Sequence, residues 1–127
     1  MQFHAMGLAA GFAAALLTTP LALEVRAQVP VNEVRALNFA RNTGVRLNGG
    51  LTVYQPQDCM FTTSAPSNPC RIRSDKQGFT YRFLGGPPAW QINGLPPTLE
   101  TELKVSLDGT SLVKLIYNGA PRSPSQR

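Results

Sequence analysis

Beyond His4 the chain has no histidine, and it carries only two cysteines and one tryptophan. A domain without histidine has no Ser-His or Cys-His nucleophile pair, and it lacks the commonest zinc ligand. No Gly-x-Gly-x-x-Gly or Gly-Lys-Ser/Thr pattern surrounds Gly85-Gly86, so this pair is not a phosphate loop and nothing calls for a nucleotide or other cofactor. After residue 27 no apolar stretch approaches the roughly 20 residues needed to span a bilayer. There is no internal repeat.

The longest apolar run lies at the N-terminus, from Gly7 to Leu17, and Pro20 breaks it. Val25-Arg26-Ala27 follows, with small or β-branched residues at the two positions a signal peptidase reads. A short apolar core followed by such a site is the pattern of a secretory signal, although this one has only His4 before the run and no Lys or Arg. Cleavage between Ala27 and Gln28 is expected. An uncleaved anchor would have to count His4, Thr18, Thr19 and Pro20 as tolerated within Phe3–Leu23. No cysteine follows the run to carry a lipid. The expected organisation is a signal peptide at 1–27, one small domain at 28–119 and a disordered tail at 120–127. The destination is periplasmic or secreted.

Losing residues 1–27 removes one acid, Glu24, and one base, Arg26, so the formal net charge of +5 is retained. About 100 residues make one domain with a modest core, and small exported domains commonly add a covalent staple. Cys59 and Cys70 are the candidates, since the segment between them carries Pro66, Asn68 and Pro69 as a loop should. A redox or metal pair is the weaker reading, because the spacing is not Cys-x-x-Cys.

Asn32 to Leu47 reads as the one helix. Asn32 is its expected N-cap, Ala36, Leu37, Ala40, Gly44 and Leu47 share an apolar face, and Asn48-Gly49-Gly50 ends it. Strand and turn character follows. Leu51–Tyr54 is a short β-prone run, Arg71-Ile72-Arg73 another, and Phe79–Phe83 alternates with three aromatics on one face. The Pro-Pro pairs at 87–88 and 96–97 mark loops or edges around Trp90. In the C-terminal hairpin Leu99, Thr101, Leu103 and Val105 share one face, and Glu100, Glu102 and Lys104 the other. A three-residue turn ending in Gly109 would place Val113 opposite Leu103. The sum is an α+β domain, one amphipathic helix packed on an antiparallel meander of about four to five strands.

Few residues invite chemistry. Glu100 and Glu102 stand about 7 Å apart on one strand face, a spacing two carboxylates can use as acid and base on a sugar. The plainer reading is a solvated face with Lys104 alongside. Arg71, Arg73, Lys76 and Arg82 form the densest basic cluster, with Arg71 and Arg73 on one strand face and Arg82 on the next strand. Such a patch suits phosphate, sulfate or an acidic polysaccharide. Nucleic acid would require aromatics interleaved with the charges. Trp90 is either a binding anchor or a plug at one end of the core. Met60, Phe79, Tyr81 and Phe83 read as core.

The string Asn48-Gly49-Gly50-Leu51 with Tyr54 and Met60, then Phe83–Pro88, then Tyr117-Asn118-Gly119 with Arg122, resembles a group of small exported proteins from cyanobacteria that has no assigned activity. The resemblance implies an exported single-domain protein and transfers no functional residues. The expected function is therefore a non-enzymatic exported domain that binds a protein partner or anionic polymer through Arg71, Arg73, Arg82 and Trp90. A small inhibitor of an exported hydrolase is the alternative.

Overall fold

The computed structural model describes residues 7, 10–21, 30–62 and 67–127. The expected cleavage site at Ala27 and Gln28 lies outside these residues. The described part of the N-terminal run forms neither helix nor strand, and Phe12, Leu16, Leu17 and Leu21 all stand in solvent. No described helix is long and apolar enough to cross a membrane.

Helix α1 spans Val31–Leu47 and buries Ala36, Leu37, Ala40, Thr43 and Gly44. Its N-cap is Pro30, not Asn32: the Pro30 carbonyl accepts from the Glu33 and Val34 amides. Asn32 sits inside the first turn and sends its side-chain amide to the Leu107 carbonyl, 3.1 Å away. Thr43 is buried, whereas Leu47, expected on the apolar face, is 44 % exposed. Beyond the helix, Gly49 and Gly50 adopt positive φ, and the Gly50 amide returns to Val45 O. The Val53 and Tyr54 amides then both bond to Gly50 O, so Leu51–Val53 is a turn and not the expected strand.

The sheet contains β1 (Gln55–Pro56), β2 (Arg71–Asp75), β3 (Gly78–Gly86), β4 (Leu99–Val105) and β5 (Leu112–Gly119). Strands β2 to β5 form an antiparallel meander, and β1 extends the edge of β3 that β2 leaves unpaired. The α+β class and the strand count are as the sequence implied. Pro56 sits on an edge strand, where its missing amide breaks no ladder.

The core lies between α1 and one sheet face. Phe79, Tyr81 and Phe83 from β3 and Leu103 and Val105 from β4 meet Ala36, Leu37 and Ala40, with Met60 and Cys70 closing one side. Burying each large side chain contributes about 1.5–3 kcal/mol. The approach is close because the helix presents small residues: a Cβ on Gly44 would come within 2.7 Å of the Phe83 ring. Tyr81 is pushed up to about 12 by burial, against the pull of the Arg71 charge, so it holds its proton at neutral pH. A Cys59–Cys70 disulfide joins a short 3₁₀ turn (Asp58–Phe61) to the start of β2, with a Cα–Cα distance of 6.0 Å.

The β4–β5 turn departs from expectation. It has four residues, Leu107–Thr110, closed by the Ser106 amide on Ser111 O. The Asp108 carboxylate accepts from the Thr110 amide and hydroxyl and from Ser106 Oγ, which stabilises the longer turn. Gly109 takes φ +74 and lies so close to α1 that a Cβ would fall 2.6 Å from Ala36 N. Leu103 therefore faces Leu115, not Val113, and two irregularities in β5 leave Val113 and Ile116 without a partner on β4.

Candidate functional site

The sheet face away from α1 carries the chain's concentrated electrostatics. Because side chains alternate along a strand, Arg82 on β3 and Glu100 and Glu102 on β4 point away from the core. Glu100 is 0 % exposed and Glu102 only 7 %, so the expected solvated face is wrong at both positions. The reason is the C-terminal segment, which the sequence suggested was a disordered tail. Residues 120–127 fold back, with a 3₁₀ turn at Pro124–Gln126, and bring Arg122 and Arg127 over the carboxylates.

The resulting network alternates in sign. Arg127 donates to Glu100 Oε1 at 2.8 Å, and Arg122 bridges Glu100 and Glu102. Arg82 donates to the other Glu102 oxygen at 3.0 Å. Arg122 also lies over the Tyr117 ring, 3.8 Å from its centroid, a cation–π contact that fixes the bridging guanidinium. Burial by itself raises the Glu100 carboxyl, but hydrogen bonds from Arg122 and Arg127 outweigh it and hold the group below the usual carboxylate range. Both carboxylates are occupied by guanidinium, so neither is poised as the acid or base of a glycosidase pair.

Beside this network a cleft of about 240 Å³ opens next to the disulfide. Gln57, Ile72, Arg82, Leu84, Glu100 and Arg127 line it. Gln57 is held by the Leu84 amide, which donates to its Oε1 at 3.0 Å. The Arg82 Nε atom is buried and has no hydrogen-bond partner among the described residues. A buried guanidinium N–H left unpaired is costly.

The other expected site residues disperse. Arg71 pairs with Tyr81 and Arg73 with Thr80, and the register shift between them breaks the alternation that would have put both on one face. Arg71 turns to the helix side, ion-pairs with Glu33 at 2.9 Å and lies over Phe79. Arg73 is exposed and, like Lys76, makes no ion pair among the described residues. Trp90 is a plug: it is 5 % exposed and its indole N–H donates to Gln55 O at 2.9 Å. Of the four residues expected to bind, only Arg82 stands in the cleft. Arg122, Arg127 and Gln57 escaped the sequence reading. The signal for the first two was the pair of carboxylates that required cationic partners once buried.

No protein-family model, curated protein or solved structure matches the chain.

Proposed function

We propose that this is a small exported, non-enzymatic binding domain whose cleft takes a compact anion, a carboxylate or phosphate group. The observation that carries the reading is a cleft lined by two guanidinium side chains, Arg82 and Arg127. Three guanidiniums share two carboxylates there, so one positive charge is left over to attract an anion. The planar fork of arginine suits two-oxygen groups. Export is supported by the Gly7–Leu17 run and by a disulfide in a domain whose core, among the described residues, draws on none of residues 7 and 10–21.

Titration with succinate and with inorganic phosphate, followed by calorimetry and thermal shift, tests the reading. Wild type should bind at least one of them and melt higher in its presence, since a ligand at 100 times its Kd contributes about 2.7 kcal/mol. Arg82→Gln should lose binding, and Arg73→Gln, outside the cleft, should keep it. Equal binding by wild type and the Arg82→Gln variant, checked as folded by circular dichroism, would sink the proposal.

A second reading has one observation in its favour. The loop between β3 and β4 is pinned by Trp90, yet Ile92 projects from it 87 % exposed. A rigid loop with an exposed aliphatic tip is what an inhibitor of an exported hydrolase would present, and Ile92→Asp should then abolish inhibition while leaving anion binding intact.

A further inference from the structure

The sheet face away from α1 carries a second group of cations, set apart from the cleft. Arg73 on β2 pairs with Thr80 on β3, Thr80 with Lys104 on β4, and Lys104 with Lys114 on β5. Residues directly opposite one another share a sheet face, and Thr80 and Lys104 alternate with the core residues Phe79, Tyr81, Leu103 and Val105. All four therefore point outward and form one row across the meander. The row lies one outward position along β3 from Arg82, on the side away from Leu84 and Glu100 of the cleft.

This row is short of negative charge. Lys104 and Lys114 are like charges directly opposite one another, an arrangement that destabilises a sheet. Asp75 neutralises only Lys104, at 2.8 Å. Arg73 and Lys114 are exposed and make no ion pair among the described residues. Three cations against one acid leave two charges uncompensated.

The spacing selects the class of anion. Neighbouring strands lie about 4.8 Å apart, so Lys104 stands one such interval from Lys114 and two from Arg73. A linear polyuronate carries one carboxylate on each sugar ring, and its rings repeat at close to that interval. Successive side chains on one face of an extended acidic peptide come about 6.6 Å apart and miss it. A single-stranded nucleic acid needs free aromatic rings among the cations. Tyr117, opposite Glu102 on this face, has its ring under the Arg122 guanidinium. We infer that the row of Arg73, Thr80, Lys104 and Lys114 binds a linear uronic-acid polysaccharide, laid across the strands with its carboxylates against the three cations. This site goes beyond the compact-anion cleft and does not rest on it.

The probe is a labelled octagalacturonate titrated into the full chain, read by fluorescence anisotropy and amide chemical shifts. Binding should move the amides of Arg73, Thr80, Lys104 and Lys114 and weaken as salt rises. A double Arg73→Gln, Lys114→Gln variant should bind at least tenfold more weakly and keep wild-type binding of succinate or phosphate. That variant should melt no lower than wild type, because losing Lys114 relieves the like-charge pair. A galactose octamer without carboxylates, an octaglutamate and an octauridylate should each bind at least tenfold more weakly than the octagalacturonate. Equal affinity for any of the three, or unmoved amides along the row, would overturn the inference. So would an affinity that Arg82→Gln abolishes and the double variant keeps, since the sugar acid would then occupy the cleft alone. A chain that ignores succinate and phosphate yet binds octagalacturonate along the row would support the inference and remove the cleft reading.

Discussion

Replacing Arg122 by alanine strikes the point where the C-terminal segment holds the sheet. The substitution removes one charge-assisted hydrogen bond from Glu100 and one from Glu102, the latter 2.9 Å long. Hydrogen bonds to charged groups contribute about 1.5–3 kcal/mol each, and a buried charge stripped of its partner costs about 3–5 kcal/mol. Neither carboxylate is stripped completely, since Glu100 keeps Arg127 and Glu102 keeps Arg82. The lower end applies, and Arg122→Ala should lose about 3 kcal/mol in urea unfolding at pH 7 with an unchanged m-value. Arg122→Lys should recover less than half of that, because one ammonium cannot grip two carboxylates as a fork does.

The pH dependence has a definite sign. The folded Glu100 carboxyl lies below its unfolded value, near about 4.3. Its contribution is therefore present above that value and is lost as pH falls through the folded pKa. In the alanine variant the carboxyl is held less low, so less is lost on acidification. The gap between wild type and variant should be fully open above about pH 5 and should narrow below about pH 4. A loss under about 1 kcal/mol at pH 7, or a gap that stays constant down to pH 3, would refute this account of the network.

Three further outcomes are expected. Changing Cys59 and Cys70 to serine should lower unfolding free energy by about 3 kcal/mol, as a loop closed at a sequence separation of 11 implies; a denaturation midpoint equal to wild type would contradict it. Gly44→Ala should destabilise by about 1–2 kcal/mol despite alanine's helix preference of about 1 kcal/mol, because the added Cβ falls 2.7 Å from Phe83 and overpacking costs more. N-terminal sequencing of the protein from the exported fraction should begin at Gln28, and full-length chain in the membrane fraction would count against cleavage.

The sequence by itself determined what depends on short-range periodicity. The 3.6-residue spacing of Ala36, Leu37, Ala40 and Gly44 set the helix and its buried face, and the two-residue alternation of Phe79, Tyr81 and Phe83 set the core face of β3. Two cysteines bracketing a Pro- and Asn-bearing loop announced the staple that joins them. What failed was whatever a distant segment decides. Glu100 and Glu102 look solvated along β4 alone, and are buried only because residues 120–127 return across them carrying Arg122 and Arg127. Arg71 and Arg73 look like one patch until a register shift against β3 turns them to opposite faces. The β4–β5 turn looks three residues long until Asp108 and the docked start of α1 stabilise four. A buried charge is stable only beside its counter-charge, and in this chain each counter-charge to those carboxylates lies about 20 or more residues away in sequence. Local pattern does not encode that pairing; the chain's return path does.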